Sequence, residues 1–173
     1  MNRRPDVRFN HNDTTIRAAL SEDEVNDLGI IELLFFSYRD FTADPDKQLE
    51  TMGFGRAHHR VLYFVNRKPG MSVAELLDVL KITKQSLARV LKQLVDNGHI
   101  IQLTGETDRR QRELYPTVSG RELILSLTQP QSNRIAAALA ESNVTEKQII
   151  QNFLKAMVNS DQRDQIDSLP LSR

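Results

Sequence analysis

Six residues within one short stretch, Thr83, Lys84, Gln85, Ser86, Arg89 and Lys92, are of the types that bind nucleic acid. Glutamine can pair with adenine, and arginine with guanine, each through two hydrogen bonds at the edge of the base. Ser86 can reach either kind of base, while Thr83, Lys84 and Lys92 suit phosphate oxygens better. A second group follows at Asp108, Arg109 and Arg110, with Arg112 just beyond. Three arginines in or beside one short loop are costly to hold bare, and easier to understand if phosphates sit against them.

The elements that must carry these groups can be read from capping and periodicity. Ser72 with Glu75 three residues later makes a reciprocal capping box, and Val73, Leu76, Leu77 and Leu80 then follow the spacing of one buried helix face. Lys81 and Ile82 form a break, and Thr83 can cap a second helix over Lys84 to Asn97. Leu87, Val90, Leu91, Leu94 and Val95 recur at helical spacing and pack inward. The opposite face carries Gln85, Arg89, Lys92 and Asp96, with Ser86 and Gln93 beside it. Gly98 can take the left-handed conformation that stops a helix. His99 to Thr104 and Glu113 to Thr117 read as two short strands joined by the arginine-bearing loop.

This run from Ile82 to Gly120, and above all the stretch DRRQRELYPTVSGREL, resembles the multiple-antibiotic-resistance regulator (MarR) family of bacterial winged helix-turn-helix transcription factors. Asp108, Arg109, Arg110, Thr117 and Gly120 stand at that family's spacing, and a looser likeness extends from about Leu28 to Met157. The resemblance implies a mainly α fold with a small β-hairpin wing. It also implies a helical dimerisation region in which the first helix and the last two intertwine with those of a second subunit. A small aromatic or anionic effector would lie in a cleft between the dimer helices and the DNA-binding lobe. On this chain that cleft would be lined by Phe35, Tyr38, Arg39, His58, His59 and Leu62, with Arg39 and the histidines favouring an anion.

At 173 residues the chain fits one domain with enough length to bury a core. It has no cysteine, which removes disulfides, thiolate metal sites and thiol oxidation. No apolar run reaches membrane-spanning length and no signal-peptide pattern opens the chain, so a cytoplasmic protein without a membrane partner is expected. Net charge is zero, but it is unevenly distributed. Between Lys81 and Arg112 seven basic residues face three acidic ones, a local excess of +4 that the rest of the chain offsets.

Outside the central module, residues 1–20 read either as a disordered tail or as an arm touching DNA or a partner subunit. Ser21 with Glu24 forms another capping box, starting a helix expected to run to about Phe41. Val25, Leu28, Ile31 and Phe35 mark one face and Ile30, Leu33, Leu34 and Phe36 a second, more apolar surface than one small domain buries. A second subunit would cover it. The stretch TADPDKQ reads as a loop, and Leu49 to Asn66 holds a helix with Phe54, Ala57, Val61, Phe64 and Val65 towards the core. His58 and His59 read as packing and surface residues or as an effector contact. Adjacent helical positions point about 100° apart, which makes the pair a poor metal site. Ser119 with Glu122 is expected to cap the helix after the wing, with a kink or break at Pro130. Thr145 to Val158 forms a last helix before a mobile tail over 159–173.

These expectations divide the chain into an arm (1–20), one domain (21–158) and the tail. Within the domain, 21–48 and 119–158 supply dimerisation helices and 49–118 the winged lobe. A polar outer face alone would fit any solvated surface helix. The capped helix pair, the Gly98 stop and the arginine-bearing hairpin in this order turn the balance towards reading DNA. The amino-terminal half of the second helix would enter a major groove, Arg109 or Arg110 the adjacent minor groove, and Asp108 would hold one of those arginines in place. The expected function is a homodimeric, ligand-responsive repressor on a pseudo-palindromic operator; the alternative is a dimeric winged-helix interaction module without specific DNA binding. No cofactor, metal or catalytic constellation is expected, since phosphate-loop, HExxH and GxSxG patterns are missing.

Overall fold

Local signals fix most of the elements, and tertiary contacts move their ends. The structure, a computed structural model, describes residues 19–105, 111–167 and 169. Its elements in chain order are α1 (Leu28–Glu50), α2 (Arg56–Arg67), β1 (Met71–Ser72), α3 (Val73–Leu80), α4 (Lys84–Asp96), β2 (Ile100–Thr104), β3 (Arg112–Pro116), α5 (Val118–Glu141), α6 (Lys147–Met157) and α7 (Ser160–Asp167). The three strands form one antiparallel sheet in the order β1-β3-β2. By its contacts the chain divides between Arg39 and Asp40 into two compact units.

In the second unit one apolar cluster joins α2, α3, α4, the strands and the first half of α5. Leu76, Leu87, Leu94, Leu114 and Leu127 have no exposed surface, and each such burial contributes about 2 kcal/mol relative to exposure. The helix pair follows the capping signals closely. Ser72 Oγ accepts from the Glu75 amide at 3.2 Å while Glu75 Oε2 accepts from the Ser72 amide at 2.7 Å. Lys81 then takes the left-handed conformation (φ 51°) that turns the chain into α4, and Gly98 (φ 71°) ends the segment that follows it. The expected inward set of α4 is buried at Leu87, Val90, Leu91 and Leu94, with Val95 partly so.

Several boundaries differ from the sequence reading. Ser21 and Glu24 do bond, but the segment after them is a series of turns, and Asp27 adopts a left-handed conformation (φ 60°) before α1 begins. Glu22, not Ser21, holds the helix start, its carboxylate accepting from the Leu28 and Gly29 amides. That places a negative charge where the helix end favours one. The expected loop TADPDKQ is helical. Pro45 leaves the Phe41 carbonyl without its usual amide partner, and the Gln131 side chain from α5 donates to that carbonyl instead, at 3.2 Å. The break falls later, at residues 51–55, where Gly53 has φ 68°. Ala57 is consequently exposed rather than in the core.

Thr117, not Ser119, caps α5, accepting from the Gly120 amide at 3.0 Å and donating to the Gly98 carbonyl at 2.6 Å. The second of these bonds spans 19 residues of sequence, which a local motif cannot reveal. Helix α5 continues through Pro130 unbroken. Within residues 159–173 the structure shows α7, from which Arg163 donates to the Val158 and Ala156 carbonyls at the end of α6. β1 was not anticipated, because two residues carry no strand periodicity.

The two units each leave apolar surface open. In the first, Leu33, Phe35 and Phe36 of α1 are exposed; in the second, α6 buries no residue and exposes Ile149, Phe153, Leu154 and Met157. No helix among the described residues is long and apolar enough to cross a membrane.

Candidate nucleic-acid interface

The face in question is built on α4. Its position is set by the inward leucines and its first turn by Thr83, whose Oγ1 accepts from the Ser86 amide at 3.2 Å and donates to Ser86 Oγ at 2.9 Å. Thr83, Lys84, Gln85, Ser86, Arg89 and Lys92 are all exposed. They differ in what they already bind. Thr83 and Ser86 bind each other, and Lys92 pairs with Asp96 one turn on. Lys84, Gln85 and Arg89 make no hydrogen bond or ion pair among the described residues. Gln85 and Arg89 stand four apart and so lie one above the other on the helix. These two donors project from the amino-terminal half, where amides of the first turn also point outward.

Beside this face, α2 begins. A groove of about 720 Å³ separates Gly53, Phe54 and Arg56 from Gln85, Arg89 and Val90. Its charged lining residues are both arginines, Arg56 and Arg89. Arg56 is ion-paired to Asp46.

The wing stands on the other side. β2 and β3 pair from Ile100↔Pro116 to Thr104↔Arg112, and the Gly105 amide donates to the Gln111 carbonyl at 3.1 Å. At the last pair Arg112 donates across the strands to Thr104 Oγ1 at 2.8 Å, so this arginine already has one partner on the hairpin. Asp108, Arg109 and Arg110 lie outside the described residues.

Of the residues assigned to an effector cleft, Phe35, Tyr38 and Arg39 belong to the first unit and are exposed, with the Arg39 guanidinium 4.9 Å from the centre of the Phe36 ring. His58, His59 and Leu62 belong to the second. Leu62 has no exposed surface, and both histidines are 8% exposed. Burial lowers the pKa of His59, a shift the Asp46 carboxylate opposes. No three metal-ligating side chains converge among the described residues.

His58 has a role the sequence reading did not assign. Its Nδ1 accepts from the Gly55 amide at 3.0 Å, and its Nε2 lies 2.9 Å from Gln93 Oε1 on α4. Nearby, Arg60 donates to the Leu80 carbonyl at the end of α3, at 3.0 Å. The available signal was position: His58 is the third residue of α2, where a glutamate or glutamine would complete a capping box.

A capped helix pair, a polar second helix with unengaged glutamine and arginine side chains, and a hairpin packed beside it define a winged helix-turn-helix protein. Residues 52–111 match the model of the MarR family. The chain is 43% identical over 129 residues to the HTH-type transcriptional regulator PetP of Rhodobacter capsulatus, covering 75% of this chain and 78% of that protein. Among solved structures, a MarR transcriptional regulator from Methanosarcina mazei Go1 has a TM-score of 0.59 at 26% identity, covering 75% of this chain and 91% of that one. A point variant of MepR from S. aureus, bound to an oligodeoxyribonucleotide, has a TM-score of 0.54 at 16% identity, covering 75% and 98%. The chain belongs to the MarR family, and it is a DNA-binding transcriptional regulator.

Proposed function

We propose that the protein binds DNA as a homodimer, setting the amino-terminal half of α4 in the major groove of each half-site. The observation that supports this most directly is the pair Gln85 and Arg89, exposed, stacked on one helix stripe and without partners among the described residues. Gln85 reads adenine and Arg89 guanine, while Lys84, Thr83 and Lys92 meet phosphates. Arg109 or Arg110 enters the neighbouring minor groove, positioned by Asp108. The open apolar faces of α1 and α6 are what a second subunit covers, which fits the division of the chain into dimerisation helices (21–48 and 119–158) and a winged lobe (49–118). Two copies then present α4 about one helical turn apart, on a pseudo-palindrome with half-sites about 10 base pairs apart.

The mode of control is repression by occupancy, relieved by a small-molecule effector. Phe35, Tyr38 and Arg39 offer it an aromatic and cationic surface, whereas His58, His59 and Leu62 have little surface to offer within one chain.

The test is selection of bound sequences from a random duplex pool, followed by binding across salt. A two-fold symmetric site is expected. Gln85→Ala should relax base preference, and Arg109→Ala should weaken all binding with a salt slope reduced by about 1. Recovery of no motif, with binding lost at physiological salt, would move the protein to the interaction-module reading.

A further inference from the structure

Helix α2 holds the helix-turn-helix at two points, one on each side of its turn. Arg60 binds the last carbonyl of α3, and His58 binds Gln93 in the second half of α4. The geometry at His58 leaves little freedom. A backbone amide can only donate, so Nδ1 must carry the lone pair, and the ring proton must therefore sit on Nε2. That proton needs an acceptor, which the Gln93 Oε1 supplies. Phe54 stacks on the imidazole, with ring centres 4.6 Å apart and planes 12° from parallel. The His99 ring packs edge-to-face with the same Phe54 ring, their centres 5.8 Å apart. The imidazole is thus fixed in plane by two hydrogen bonds and across its face by an aromatic ring.

Gln93 sits two turns beyond Gln85 and one turn beyond Arg89 on α4. It is half-buried, unlike those two. We infer that His58 is a positioning residue for sequence reading: through Gln93 it fixes the rotation of α4 about its axis, and so the reach of Gln85 and Arg89 to base edges. Hydrogen bonds weaken steeply with misalignment, so a helix released to rock loses discrimination between bases before it loses attraction to phosphates. This rests on the assignment of α4 as the base-reading helix.

The experiment compares binding of the full-length protein to the selected operator and to a scrambled duplex of the same composition, at one salt concentration. Gln93→Met keeps the length of the side chain without its acceptor, and Gln93→Glu keeps an acceptor. His58→Phe keeps the stack on Phe54 without either hydrogen bond. Loss of the bond between His58 and Gln93, common to both variants, should lower the operator-to-scrambled ratio about fivefold in Gln93→Met and in His58→Phe. The double variant should fall no further, and Gln93→Glu should retain the wild-type ratio even where its charge weakens binding to both duplexes. A purely structural role would lower thermal stability and leave the ratio unchanged, which overturns the inference. Additive losses in the double variant would mean that Gln93 reads bases itself, and would overturn it too. Should the phenylalanine variant fail to fold, Gln93→Met against its rescue by Gln93→Glu carries the same decision. A wild-type ratio near one would refute the base-reading assignment and this inference with it, whereas a high wild-type ratio kept in Gln93→Met would refute the inference alone.

Discussion

Replacing Gly120 with alanine should unfold the protein more readily, although alanine is the better helix former. A Cβ built at Gly120 would stand 2.9 Å from the carbonyl carbon of His99 and 3.3 Å from its Cα, with the carbonyl oxygen closer still. The obstacle is backbone, so no side-chain rotation relieves it. The start of α5 would have to withdraw from the base of the wing by roughly 1 Å, since carbon contacts are comfortable only near 3.5 Å or more. Two bonds span that gap, from the Thr117 amide to the His99 carbonyl at 3.1 Å and from Thr117 Oγ1 to the Gly98 carbonyl at 2.6 Å. Their loss costs about 1 kcal/mol each, and overpacking adds about 1 to 3 kcal/mol. The gain in helix propensity offsets about 1 kcal/mol. The net is a destabilisation of about 2 kcal/mol or more, lowering Tm by roughly 4 to 8 °C in a domain of this size. Urea denaturation followed by circular dichroism, at matched protein concentration because subunit association adds to apparent stability, measures it. A Gly120→Ala protein as stable as the wild type would refute the argument from backbone contact.

Three other outcomes follow from single contacts. Gln131→Leu should cost about 1 kcal/mol in urea denaturation, because it leaves the Phe41 carbonyl with neither the Pro45 amide nor a side-chain donor. Lys68 and the Ser72 amide hold the Glu75 carboxyl down to about 2. The stability this group contributes is complete above its unfolded value of 4.5 and is lost as pH falls from there towards 2, so Glu75→Gln should flatten that part of the stability curve. Burial lowers the pKa of His59 and of His99 in the folded protein. The unfolded chain therefore takes up protons first, and unfolding free energy should decline as pH drops below 6.5, less steeply in His99→Gln. A flat profile between about pH 7 and 5 would contradict this.

Contacts between near neighbours were readable in the sequence, and contacts across the fold were not. Ser72 with Glu75, Thr83 before α4 and Gly98 after it act over three or four residues, so the residue types and their spacing are sufficient. Pro45 misleads because the Phe41 carbonyl it strands is bonded by Gln131, 90 residues further along the chain. Thr117 outcompetes Ser119 as a cap because it also binds Gly98, a partner only the wing brings near. The same division holds for the interface. Exposure of Gln85, Arg89 and their neighbours followed from helical periodicity, but the bond between His58 and Gln93 required the packing of α2 on α4. Asp108, Arg109 and Arg110 rest on the resemblance and on the chemistry of arginine beside phosphate.

Met71 and Ser72 pair with Leu114 and Glu113 of the wing, and Ser72 is at once the last strand residue and the cap of α3. Strand and helix therefore share one residue, leaving no slack segment between the hairpin and the helix pair. In mechanical terms this part of the lobe is a caliper with its jaws welded: the offset between α3 and the wing base is a built-in length. Amides of Ser72, Glu75 and Leu114 should accordingly exchange with solvent as one cooperative unit.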